Sequence, residues 1–216
     1  MLDSEGLDHL HMKELTFRHK GKRVGPYKDW DDEREKQFQK KAHQIIDNTI
    51  ETGVSLSVDV AAYQKMVPPK LNQIVGGPYG LCTFMCLRIL QRFAKQERWK
   101  EPCACFFESG SGYGKEITVL QMQLRKNPTW ARGLRGFLPR TWTFTDKKLA
   151  PQLETADILA YESNHFWHEM YVVRTERRTK KSLQNLILRN DKHWGNYLNE
   201  AKLRMLLEDF SEHGML

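Results

Sequence analysis

Two acids stand where the surrounding sequence is apolar, and acids so placed are the first candidates for chemistry. Glu108 ends the apolar run Cys103 to Phe107 (CACFF), where a charge without a paired cation or donor is costly to bury. Asp157 lies in Ala156-Asp-Ile-Leu-Ala160, inside a helical stretch where Asp has poor propensity and is normally a surface residue. Glu154 precedes it by three residues and Tyr161 follows it by four, spacings that share one helix face. Each acid is either a solvated charge or a ligand to a divalent cation. In the second case Glu108 and Asp157 converge on Mg²⁺ or Mn²⁺, with Glu154 as a further ligand. Such a hard cation takes one or two carboxylates and completes its shell with water and phosphate. Spacing alone does not decide between the two.

Other sets of reactive types fail on spacing. Ser109 to Lys115 (SGSGYGK) follows a strand and opens a helix, as a phosphate-binding loop does, but Ser109 stands where its first Gly belongs and Glu116 where Ser or Thr belongs. A carboxylate there repels phosphate, so this is expected to be an ordinary loop. Cys82 and Cys86 share a helix face, and Cys103 and Cys105 share a strand face; all four are expected to be reduced core thiols that bind no metal. No His pair has the zincin spacing, and no Ser sits in a nucleophile elbow.

The elements that must position these residues alternate between strand and helix. Asp31 to Thr52 has helical apolar spacing with acids in its first turn, Gly53 ends it, and Val54 to Val60 (VSLSVDV) alternates as a half-buried strand. A loop rich in Pro and Gly follows, from Pro68 to Pro78. Helices are expected at Tyr79 to Lys95, at Ile117 to Lys126 and from Pro151 to about Val173; strands are expected at Cys103 to Phe107 and Thr141 to Thr145 (TWTFT). The tail from Lys181 to Phe210 is expected to be helical. This alternation defines an α/β protein. No linker divides it, so residues 1–174 are expected to form one domain and residues 175–216 a helical extension, whose Trp194, Tyr197 and Leu203 to Leu207 serve either internal packing or a homo-oligomer.

With 40% hydrophobic and 28% charged residues the chain has a globular composition, and no apolar run reaches the length of a membrane span. The expectation is a cytoplasmic protein without a membrane partner. A formal net charge of +7 points to a polyanionic partner, nucleic acid first. Arg132, Arg135, Lys147 and Lys148 are the candidate phosphate-backbone contacts, each equally consistent with solvated surface.

Several segments, in order, resemble the domain of unknown function 3800 family. They are His11-Met-Lys-Glu14, Pro26-Tyr-Lys-Asp-Trp30, the VSLSVDV strand with Ala62-Tyr63, CACFFE, and above all Leu153-Glu-Thr-Ala-Asp-Ile-Leu-Ala-Tyr-Glu162. The resemblance implies a ribonuclease-H-like mixed sheet flanked by helices. It also implies two-metal phosphodiester hydrolysis, in which acids of the first strand, a central strand and a late helix hold the ions. Carried over, Glu108 is the central-strand ligand, Asp157 the late-helix ligand, and His11 lies near the same edge. Two features depart from the family pattern. Its opening Asp-Glu-Ser-Gly strand has no counterpart ahead of His11, so a truncated start or a lost first ligand is expected. Glu154 stands where the family signature has Gln. The implied function is a metal-dependent nuclease-like protein, inactive if its first-strand Asp is absent; the alternative is a catalytically dead module that binds nucleic acid or another protein.

Overall fold

A computed structural model describes residues 5–7, 10, 12–19, 21–101, 103–132, 134, 137–173 and 193–216. In chain order its elements are α1 (Met12–Thr16), β1 (Arg18–His19), β2 (Lys22–Arg23), α2 (Asp32–Thr49), β3 (Gly53–Val58), α3 (Val60–Met66), α4 (Pro69–Val75), α5 (Pro78–Gln96), β4 (Ala104–Glu108), α6 (Gly114–Lys126), α7 (Pro128–Arg132), β5 (Thr141–Thr145), α8 (Gln152–His168), β6 (His193–Leu198) and α9 (Glu200–Glu212). A 3₁₀ turn, Lys147–Leu149, precedes α8, and a π-helical turn, Glu169–Val173, continues it. The protein is α/β. Among the described residues the strands form three two-stranded sheets: β1–β2, β3–β6 and β4–β5.

The chain divides into two discontinuous units, residues 1–55 with 146–194, and residues 56–145 with 195–216. In the first, Leu10, Met12, Leu15, Tyr27, Trp30, Phe38 and Ile158 bury a core between α1, α2 and α8. Asp31 caps α2 by accepting from the Arg34 N–H at 2.7 Å. The acids of its first turn have a second use, because Arg23 donates to the carboxylates of Asp32 and Glu35 and to the Trp30 carbonyl at 2.9 Å. The acidic start of α2 therefore holds β2 in place as well as suiting the helix dipole.

In the second unit, α4, α5, α6 and α9 pack around Phe84, Trp130 and Phe210, whose rings lie 4.6 to 6.1 Å apart. Here β4 and β5 run parallel, Phe106 opposite Thr143 and Phe107 opposite Phe144. Their inward face, with Cys105 and Trp142, lies on this core.

Three expectations are corrected. The strand expected to reach Val60 stops at Val58, because Asp59 turns its carboxylate to the Ala62 N–H (3.0 Å) and starts α3. Part of the loop from Pro68 to Pro78 is a helix, α4, which Pro69 opens and Gly76, at φ +83°, closes. The tail is not helical throughout: His193–Leu198 is a strand paired with β3, since its Trp and Tyr suit a pleated surface better than a helix. Residues 181–192 of that tail lie outside the described residues. The apolar face of α9, with Leu203, Leu206, Leu207 and Phe210, packs into the second unit's own core. No helix among the described residues is long and apolar enough to cross a membrane.

Candidate functional site

Helix α8 and the 3₁₀ turn before it bring three of the expected residues, Lys147, Glu154 and Asp157, into the first unit. Asp157 Oδ2 lies 3.2 Å from Lys147 Nζ and 3.4 Å from the Met12 N–H that donates to it. Glu154 Oε1 accepts from the Leu10 N–H at 3.2 Å, and the Tyr161 hydroxyl meets Thr16 Oγ1 at 2.6 Å. Residues at positions i, i+3 and i+7 of one helix thus fasten α1 and the residues before it along a single stripe.

This geometry corrects the role expected of Lys147. Its side chain runs inward from the 3₁₀ turn and is only 5% exposed, so its ammonium serves a carboxylate inside the fold and not a phosphate outside it. Asp157 keeps 32% of its side-chain surface. Lys148 and Arg132 are exposed, on the 3₁₀ turn and at the end of α7. Arg135 and His11 lie outside the described residues. Among the described residues no group of three or more His, Cys, Asp or Glu side chains gathers as a metal site would.

Deeper on α8, Glu162 and Ser163 are 3% and 2% exposed. Among the described residues His43 Nε2, Ser163 Oγ and Trp167 Nε1 are buried without a hydrogen-bond partner. Burial pulls the His43 imidazole below its usual range, while the carboxylates of Glu162 and Asp47 oppose that shift.

Glu108 belongs to the second unit, half-buried at the carboxyl end of β4 and opposite Thr145. The Gly-rich turn follows it, with Gly110 and Gly112 at φ +81° and +80°. Glu116, whose position argues against a phosphate loop, has a different use. Its Oε2 accepts from the main-chain N–H groups of Tyr79 (2.8 Å) and Gly80 (3.1 Å), so a carboxylate of α6 caps the start of α5. Cys82, close behind, is half-buried, and burial with the Glu116 charge pushes its thiol up to about 12. All four cysteines are free thiols.

Tyr79 and Tyr113 stack at 4.7 Å beside that cap. Sequence reasoning missed this pair because the Gly-Gly-Pro-Tyr-Gly stretch carries a helix-start signal but nothing that names a partner thirty-odd residues away. Charge separates the two units sharply: the second holds 15 Lys and Arg against 9 Asp and Glu, the first 19 against 18. Comparison with protein-family models, curated proteins and solved structures finds no match to the chain.

Proposed function

We propose that the chain is a ribonuclease-H-like protein, of the kind represented by the domain of unknown function 3800 family, that binds the phosphate backbone of nucleic acid without hydrolysing it. One observation carries the binding half: of the net charge of +7, the second unit holds +6. An excess confined to one compact unit gives a far stronger local potential than the same charge spread over the whole chain. The non-hydrolytic half is supported by the Lys147–Asp157 pair. A late-helix acid that already neutralises a buried ammonium has less charge to offer a metal ion, and its geometry is set by the clamp on α1.

The rival reading is a two-metal nuclease in which Asp157 is a ligand to Mg²⁺ or Mn²⁺; it is favoured by the partial exposure of Asp157. One experiment separates them. Binding and cleavage of single-stranded and duplex oligonucleotides are measured across a salt series, in Mg²⁺ and in Mn²⁺, with the wild-type chain and with Asp157→Asn. The expected result is binding whose log affinity falls linearly with log salt, with no cleavage. Affinity indifferent to salt overturns the binding half. Metal-dependent cleavage that Asp157→Asn abolishes overturns the other half and establishes the nuclease.

A further inference from the structure

We propose that Tyr79, Tyr113 and Phe144 form a stacking platform for an unpaired base of single-stranded nucleic acid, at the carboxyl end of the β4–β5 pair. The proposal rests on the nucleic-acid reading above and assigns that reading a place and a strand form. The three rings are 40%, 49% and 40% exposed. Exposed apolar side chains scattered singly need no explanation, but three gathered in one place mark an interaction surface.

Their arrangement is ordered. The tyrosine rings are within 13° of parallel, and the Phe144 ring lies beside Gly114, where a Cβ would sit 3.6 Å from its Cε1. Phe144 therefore adjoins the residue that follows Tyr113. The cap made by Glu116 fixes the spacing, because it fastens the Tyr79 N–H to a residue three positions beyond Tyr113. A platform held in place before the ligand arrives does not lose that ordering entropy on binding.

Beside the rings the turn from Ser109 to Tyr113 is exposed, and neither Gly110 nor Gly112 has an atom within 4 Å of the place a Cβ would occupy. A nucleotide backbone can approach there. The occupant follows from charge and shape together: a unit of net charge +6, with Lys115 exposed two residues from Tyr113, attracts a polyanion. Flat ring faces accept any base whose own face is free, which a duplex hides and a single strand offers. Of the acids nearby, Glu116 is committed to two amides, and Glu108 ends β4 on the far side of the turn from Lys115 in sequence, so the phosphates pass on the Lys115 side.

The test uses the full chain and a single-stranded oligonucleotide carrying 2-aminopurine at one central position, with an abasic strand and a duplex of the same length. Saturating wild-type protein is expected to quench the 2-aminopurine. Tyr113→Ala is expected to weaken single-strand binding by about 10–100-fold while leaving duplex and abasic-strand binding unchanged. Tyr113→Phe keeps the wild-type affinity. Unquenched 2-aminopurine at saturation overturns the platform without relying on any variant. So does equal loss of duplex and single-strand affinity in Tyr113→Ala, or a free nucleoside monophosphate bound as tightly as the strand. A wild-type chain that binds no nucleic acid at all overturns the general reading with it, whereas salt-sensitive binding that Tyr113→Ala leaves untouched overturns the platform alone.

Discussion

Lys147 and Asp157 form an ion pair of 3.2 Å that is asymmetric in solvation: the lysine side chain is 5% exposed and the aspartate side chain 32%. The carboxylate also accepts from the Met12 N–H, so it joins the 3₁₀ turn, α8 and α1 at one point. Removing it is expected to cost more than removing its cation.

Asp157→Ala should therefore lower stability by about 1–3 kcal/mol, since it deprives a buried ammonium and a backbone amide of one acceptor at once. Asp157→Asn should cost less, because its carbonyl still accepts, and Lys147→Met should cost least, because a partly solvated carboxylate recovers much of its hydration. Urea unfolding of the three variants gives the order. An Asp157→Ala chain as stable as the wild type would remove the clamp from the account of this helix.

Glu116 offers a sharper test in the second unit. Glu116→Ala leaves the N–H groups of Tyr79 and Gly80 without their acceptor and should cost about 1–3 kcal/mol, with Glu116→Gln in between. The turn that receives the carboxylate is also sterically fixed. A Cβ on Gly76 would lie 2.7 Å from the Glu116 carbonyl oxygen, on a backbone of φ +83°. Gly76→Ala should destabilise the chain independently of charge. Equal midpoints for wild type, Glu116→Ala and Gly76→Ala in urea would count against both statements.

The reach of the sequence differs between these two places. The spacing of Glu154, Asp157 and Tyr161 announced a shared helix face, and that face exists. What it faces was hidden, because Leu10 and Met12 donate backbone amides, and an amide leaves no mark on residue type. Glu116 was visible only as the wrong residue for a phosphate loop. Its partner is a helix start some three dozen residues earlier, and only the packing of α5 on α6 brings the two together. The tail shows the same limit. Its apolar residues were legible as something that must be covered, yet a single sequence does not say whether a second chain or the same chain covers them.

Phe210 is fully buried against Phe84 and Trp130, and the Trp130 indole N–H donates to the Met215 carbonyl at 3.1 Å. Phe210→Ala should cost about 3–5 kcal/mol through the cavity it leaves. A chain shortened to end before Glu200 should lose cooperative unfolding of the second unit. Retention of the wild-type unfolding midpoint by either variant would return α9 to the status of an appendage.

Acid sensitivity should arise from His43. Burial lowers the pKa of this imidazole in the folded chain from its ordinary 6.5, with the carboxylates of Glu162 on α8 and Asp47 on α2 working in the opposite direction. A base whose folded pKa is depressed binds its proton more readily when unfolded. The unfolded chain thus carries the extra proton between the two values, and stability rises with pH across that window. The contribution is complete above about pH 6.5 and is lost as the pH falls from there toward the folded value. His193, also half-buried and lowered by burial, adds in the same direction. Thermal melts of the full chain from pH 7.5 down to 5.5 should show a falling Tm in wild type and a shallower fall in His43→Gln, whose side chain carries no titrating proton. The lower limit keeps the scan above the ordinary carboxylate range. A Tm that rises on acidification, or a His43→Gln profile that runs parallel to wild type, would remove the buried imidazole as the cause.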